Sequence, residues 1–242
     1  MQQLIQAKGL SKYFGNFRAV HEVSFHVNAG EVYGLLGPNG AGKTTTLRML
    51  AGILQPTSGE VTMAEHSMVN DQIRARKKLG FLTGDMDLYQ RLNPVEVLKY
   101  FGQLYGMEKN ALAQRTEQLI EWFDIGDFKN KMCGKLSTGQ KQRVSIARTI
   151  VHDPMIVILD EPTTGLDIMS SEFILNFIHK MAKEQEKAVI FSTHNLTEVE
   201  RLCDRIGIIA KGEMIATGSI EAVKEIAQQN DLASAFFELV TD

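Results

Sequence analysis

Two short stretches carry residue types and spacings suited to phosphate chemistry. GPNGAGKT, residues 37–44, fits G-x-x-x-x-G-K-[ST], with the strand-like EVYGLLG before it and the helix-like TTTLRMLAGIL after it. A polyphosphate needs several backbone N–H groups aimed at it from close range. Gly40 and Gly42 let the run Gly37, Pro38, Asn39, Gly40, Ala41, Gly42 wrap such a group, and the next helix faces it with its positive N-terminal end. Lys43 adds a full charge, Thr44 offers a hydroxyl to Mg2+, and Thr45 can reach an inner phosphate. The plainer alternative is a glycine turn that merely opens a helix.

MIVILDEP, residues 155–162, is an apolar strand that ends in two acids, a costly pattern unless those acids have partners. A metal is the natural partner in a chain that also carries a phosphate loop. Asp160, at the strand end, can hold Mg2+ through its water shell, while Glu161 is placed to orient or deprotonate an attacking water. A solvated strand-to-loop junction is the alternative. The third stretch, LSTGQKQR at 136–143, opens a helix in which Ser137 and Gln140 fit the S-x-x-Q capping box. The same helix start has free N–H groups at Thr138 and Gly139 beside a hydroxyl, so it also offers an anion site.

Strands and helices must hold these stretches in place. LIQAKGL, AVHEVSFHV, EVYGLLG, KLGFL, MIVILD, KAVIFST and RIGIIAKGEMIATG read as strands, several continuously apolar, as expected for a sheet covered on both faces. Helical patterns lie between them: TTTLRMLAGIL, VEVLKYFGQLYG, NALAQRTEQLIEWF, QKQRVSIARTIV and IMSSEFILNFIHKMAKE, the last with Ile174, Phe177, Ile178 and Met181 on one face. The fold class is α/β: a phosphate-loop core with a mainly parallel sheet flanked by helices, an N-terminal antiparallel β region, and a helical insertion. The expected division is a core of residues 1–84 and 151–242 with a helical part at 85–150, all within one nucleotide-binding domain.

The 242 residues are 44% hydrophobic and 23% charged with net charge −3, ordinary for a globular chain and without bulk attraction to nucleic acid or anionic lipid. Cys133 and Cys203 lack metal-ligand spacing and suit a reducing compartment, so the expected location is the cytosol. MQQLIQAKGL does not read as a leader, and no apolar run approaches the length of a membrane span.

GPNGAGKTT, LSTGQKQRVSIAR, VILDEP, TTGLD and STH, in this order and spacing, resemble the nucleotide-binding subunits of ATP-binding cassette (ABC) transporters, over nearly the whole chain. The resemblance implies an ATPase that binds ATP and Mg2+. It implies two subunits, expected to be identical, pairing head to tail so that each ATP lies between one phosphate loop and the other chain's signature helix. Ser137, Gly139 and Gln140 thereby join the nucleotide site. It also implies an adenine-stacking aromatic at Phe14, with neighbouring Tyr13 as an alternative, and a dimer-contacting loop at Gly165, Leu166 and Asp167. Asp167 can equally cap the next helix. His194 is implied to be the switch that hydrogen-bonds the γ-phosphate.

Two positions depart from the family pattern. Thr138 stands where the family's LSGGQ has a glycine, and Gly84 stands where family members generally carry a glutamine that touches Mg2+ and senses the membrane subunit. Asp85 or the Thr83 hydroxyl is expected to take over part of that role through water. Tyr89, Tyr100, Phe101 and Tyr105 read either as core or as a groove for a cytoplasmic helix of a membrane partner. The short tail after His194 is expected to hold no large regulatory domain. The finer likeness is to single-cassette subunits of ABC-2-type exporters, including sodium-extruding ones. It implies a cytoplasmic subunit, peripheral on the inner face of the cell membrane, that drives export through a separate transmembrane permease. A soluble cassette ATPase acting on nucleic acid or ribosomes is the alternative.

Overall fold

Runs that read as continuously apolar become strands because they face two different cores. The computed structural model describes residues 2–84 and 88–241. In chain order, β1 (Gln3–Phe14) and β2 (Phe17–Asn28) form a long hairpin, β3 (Val32–Leu36) leads into α1 (Lys43–Leu50), and β4 (Ser58–Met63), β5 (His66–Ser67), α2 (Gln72–Lys77) and β6 (Leu79–Leu82) follow. Then come α3 (Pro94–Leu104), α4 (Lys109–Trp122), α5 (Thr138–Thr149), β7 (Ile156–Asp160), α6 (Ile168–Gln185), β8 (Ala188–Thr193) and α7 (Leu196–Leu202). The hairpin β9 (Arg205–Ala210) and β10 (Glu213–Gly218) and the helices α8 (Ile220–Ile226) and α9 (Leu232–Thr241) complete the order.

The strands form two sheets, an antiparallel one ordered β2-β1-β4-β5 and a six-stranded one ordered β10-β9-β3-β8-β7-β6. In the larger sheet β9, β3, β8, β7 and β6 run parallel, and β10 is antiparallel at the edge. The period-2 rule divides its side chains between two cores. Val157, Leu159, Val189 and Phe191 face α6 and the helices of the insertion. Ile156, Ile158, Ala188 and Ile190 face α1 and the antiparallel sheet. The predicted face of α6, Ile174, Phe177, Ile178 and Met181, is buried in the first of these.

Local chemistry trims some of the expected elements. The helix of TTTLRMLAGIL stops at Leu50 because Gly52 takes a left-handed conformation (φ 65°), a common helix terminator. RIGIIAKGEMIATG is a hairpin, turned by Lys211 (φ 51°) and Gly212 (φ 84°), the two positive φ values a tight two-residue turn needs. The sequence reading did not find β4, β5, α2, α7, α8 or α9. β4, β5, α2 and α7 are short and mostly polar, and α2 buries only Ala75, whereas α9 is largely apolar. No helix among the described residues is long and apolar enough to cross a membrane.

Candidate active site

The loops that follow β3, β7 and β8, neighbours in the sheet, bring the predicted residues to one end of the parallel strands, where α/β folds place their ligands. Gly42 shows why the loop is built from small residues. Its φ is 106°, and a Cβ there would lie 2.7 Å from the Ala19 carbonyl, so both conformation and space require glycine. It opens α1 with no side-chain cap, leaving the first N–H groups of the helix directed outward. Lys43 is only 5% exposed, and its Nζ donates to the carbonyls of Gly37 at 2.7 Å and Pro38 at 3.2 Å. Burial pulls the Lys43 pKa below its usual range, while the nearby Glu161 and Asp160 carboxylates work in the opposite direction. A cavity of about 270 Å³ lies over this loop, lined by residues 39–45, Phe17, Ala19 and Glu161.

The two acids are held differently. Asp160 and Ser192 sit opposite each other on β7 and β8. The Ser192 hydroxyl donates to Asp160 Oδ1 at 2.6 Å and accepts from the Glu161 N–H at 3.0 Å, so one buried side chain fixes both positions. Glu161 leaves the strand with φ 49°, a conformation that costs a non-glycine residue roughly 1–2 kcal/mol and turns it toward the cavity. Thr164 Oγ1 donates to Glu161 Oε2 at 3.0 Å, and His194 Nδ1 stands 3.6 Å from Glu161 Oε1. The sequence reading missed the role of Ser192. A hydroxyl between Phe191 and Thr193 in a wholly buried strand was the available signal.

The signature helix forms the predicted capping box: Ser137 Oγ accepts from the Gln140 N–H at 3.3 Å, and Gln140 Oε1 accepts from the Ser137 N–H at 3.1 Å. A Cβ on Gly139 would run into Ser170 Oγ. Ser170 is in turn held by Asp167, the N-cap of α6, through its N–H at 2.9 Å and its hydroxyl at 2.8 Å. Gln142 Nε2 donates to the Pro162 carbonyl at 2.6 Å, which ties α5 to the loop after Glu161. Gly165 and Leu166 lie in that loop, followed by the 82% exposed Ile168 and the 79% exposed Met169. Ser137, Gly139 and Gln140 do not line the cavity over the phosphate loop.

Other expected residues fall as follows. Phe14 is half exposed, with the Lys12 ammonium 5.3 Å from its ring centre, and it lies outside the cavity lining. Its cross-strand partner Phe17 lines the cavity instead, a residue the sequence reading did not select. Tyr13 bonds through its hydroxyl to His21 Nδ1 at 3.3 Å. Gly84 has no left-handed backbone, and a Cβ there would make only an ordinary 3.7 Å contact with the Asp160 carbonyl, so the fold does not require glycine. Thr83 is half-buried beside it, and Asp85 lies outside the described residues. Of the insertion's aromatics, Phe101 packs on the core with Arg148 above its ring, while Tyr89, Tyr100 and Tyr105 remain 53%, 41% and 42% exposed. Core packing therefore holds for Phe101, while the three tyrosines keep exposed faces.

A polyphosphate with Mg2+ fits these residues. The loop offers uncapped N–H groups and a cation. The metal's ligands here would be few and hard: one buried carboxylate, Asp160, and the hydroxyl of Thr44. Among the described residues no group of three or more His, Cys, Asp or Glu side chains forms a metal cage. Mg2+ typically takes so sparse a protein ligand set, completing its shell with phosphate oxygens and water.

Comparison with known proteins places this arrangement. The chain is 42% identical to the ABC transporter ATP-binding protein NatA of Bacillus subtilis over 220 residues, 90% of this chain and 89% of that one. It is 37% identical to the Nod factor export ATP-binding protein I of Burkholderia lata over 221 residues, 91% of this chain and 72% of that one. Its backbone matches the dimeric post-hydrolysis structure of the ATP-binding cassette MJ0796 bound to ADP and Pi, with a TM-score of 0.80, 27% identity, and coverage of 89% of this chain and 98% of that one. The transporter names favour the transport reading over a soluble cassette acting on nucleic acid or ribosomes. The model of the family described as "ABC transporter" matches residues 20–164, and the chain belongs to that family as an ATP-binding subunit with ATPase activity.

Proposed function

We propose that this chain is one half of a head-to-tail cassette pair, most simply two identical chains, on the inner face of a cell membrane, where it drives export through a separate permease. The observation that carries this reading is the separation of two anion-binding helix starts. The cavity over the phosphate loop takes nothing from Ser137, Gly139 or Gln140, so a nucleotide seated there leaves one side for a second chain's signature helix to cover. Thr138 presents its N–H at that helix start alongside the three.

In this reading residues 1–84 and 151–242 form the nucleotide-holding core and residues 85–150 the arm that presents the signature helix. The backbone from Gly37 to Gly42 with Lys43 and Thr45 binds the phosphates, Lys43 exchanging the carbonyls of Gly37 and Pro38 for phosphate oxygens. Phe14, at the rim beside Phe17, supplies a stacking face for adenine. Thr44 and Asp160 would hold Mg2+, which when bound supplies positive charge to the phosphoryl oxygens. Glu161, flanked by Thr164 and His194, orients the attacking water and accepts its proton, and His194 hydrogen-bonds the γ-phosphate. Gly165, Leu166 and Asp167 meet the second chain. Closure of the pair moves the permease, hydrolysis resets it, and Tyr89, Tyr100 and Tyr105 offer the permease an aromatic surface. No nucleic-acid partner is expected at net charge −3.

Glu161→Gln tests the reading. Removing a general base costs about 10²–10⁴-fold in rate. The variant is expected to bind ATP normally, lose steady-state turnover, and run as an ATP-stabilised dimer by size exclusion. Near-normal turnover would remove the role of Glu161, and a strictly monomeric ATP complex would remove the pairing.

A further inference from the structure

His194 stands on a loop whose two flanking residues are gripped by one buried carboxylate. Thr193, at the end of β8, donates its hydroxyl to Glu198 Oε2 at 2.8 Å. Asn195 donates its side-chain amide to Glu198 Oε1 at 3.3 Å, and its backbone N–H donates to Thr193 Oγ1 at 3.0 Å. Glu198 is 8% exposed, on α7, and has no ion-pair partner among the described residues. Burying a carboxylate without a cation is costly, and here both of its oxygens are spent on the residues either side of His194. The helix that carries it is itself braced: Arg201, one turn further along α7, pairs with Glu172 and donates to Asn176 Oδ1 at 2.8 Å, both on α6. The imidazole of His194, by contrast, is 59% exposed, and its polar neighbour among the described residues is Glu161 Oε1, at 3.6 Å. The loop is held, and the side chain it presents is open toward the site.

We propose that Glu198 is a positioning residue for the hydrolytic site, holding the 193–195 segment so that His194 faces Glu161 and the terminal phosphate. The proposal rests on the role given to His194 above. The clamp acts on the geometry of His194 and leaves the phosphate loop untouched, so it affects kcat and spares nucleotide binding. Chemistry orders the variants. Glu198→Ala removes both bonds. Glu198→Gln keeps an acceptor for Thr193 but turns an amide donor toward the Asn195 amide, which cannot flip without giving up its own cap on the Thr197 N–H. Thr193→Val removes the bridging hydroxyl at nearly constant volume, and Thr193→Ser keeps it.

The test measures kcat, KM and ATP affinity of the purified full chain with Mg-ATP, each variant alone and combined with His194→Ala. Expected are a fall in kcat of about tenfold for Glu198→Ala and Thr193→Val, a smaller fall for Glu198→Gln, and near recovery for Thr193→Ser, all with ATP affinity unchanged. In the His194→Ala background the same changes should cost nothing more. An equal loss in both backgrounds, or a parallel loss of ATP affinity, would make the effect one of general structure and overturn the clamp. Unchanged kcat in Glu198→Ala and Thr193→Val, with His194→Ala impaired, would overturn the clamp alone. Unchanged kcat in His194→Ala would overturn the role of His194, and the clamp with it. Because Glu198 is buried, Thr193→Val keeps the question open to test if Glu198→Ala does not fold.

Discussion

The starts of α1 and α5 are both glycine-bearing helix N-termini at the ligand-binding end of the molecule, yet they are finished in opposite ways. α1 opens at a left-handed Gly42 with no side-chain cap, so its first N–H groups remain available to an incoming anion. α5 opens at Ser137 with both halves of a capping box made, so two of its donors and acceptors are already satisfied within the chain. The first start is built around a ligand. The second is a stable helix end that can also meet one. The difference fits the proposed pairing, in which the phosphate loop binds nucleotide within its own chain and the signature helix is brought to the nucleotide of another.

Mixing two variants tests this difference between the helix starts most directly. Lys43→Ala disables the first start, and Ser137→Glu places a negative charge at the second, where it suits the helix dipole and repels phosphate. Each variant alone should be inactive in an ATPase assay. A one-to-one mixture should recover activity, since mixed pairs hold one complete site, roughly a quarter of all sites if pairing is random. Recovery no greater than either variant alone would place both elements in one chain's site.

A second measurement sharpens the view of the joint between them. His152 links the end of α3 to β6: its ring stacks on Tyr105 at 3.5 Å, and its Nε2–H donates to the Leu79 carbonyl at 3.1 Å. Burial lowers its pKa from 6.5 to about 4. Between those values the unfolded chain takes up a proton that the folded chain refuses, so the contribution is complete above pH 6.5 and is lost as pH falls toward 4. The loss is on the order of 2 kcal/mol. His152→Phe, which keeps a stacking ring, should remove that part of the acid-side slope in urea unfolding followed against pH. An unchanged slope would show that His152 is not responsible.

The smallest effect separates the two duties of Ser137. Loss of the cap in Ser137→Ala should lower unfolding free energy by about 1 kcal/mol, read from the urea midpoint. No change in midpoint would mean that the box contributes little and that the serine serves the nucleotide alone.

The sequence was most informative where function depends on backbone and contiguous residues. GPNGAGKT contains its own glycines, cation and hydroxyls, and a strand before and helix after are enough to orient them. LSTGQ likewise disclosed its capping box, because the partners are three residues apart. The acids of VILDEP could be named, but their different restraint could not. Ser192, which fixes Asp160 and the Glu161 N–H, is more than thirty residues away in the chain and reaches them only because β8 lies beside β7 in register. Phe17 escaped notice for a similar reason, being brought to the phosphate loop by the pairing of β1 with β2 and the contact of Ala19 with Gly42.

Local sequence therefore sets the chemistry on offer: a loop suited to phosphate, a metal-suited carboxylate beside a candidate base, and a capped helix start, all of them local patterns set by dihedral preference and hydrogen bonds over a few residues. Tertiary structure alone decided which groups share a site. It placed Glu161 in the cavity of the phosphate loop, left Ser137, Gly139 and Gln140 out of it, and hung His194 from a carboxylate on the following helix. Those decisions belong to strand order, register and helix packing, which are fixed by burying two cores at once across the same sheet and cannot be read from any one segment.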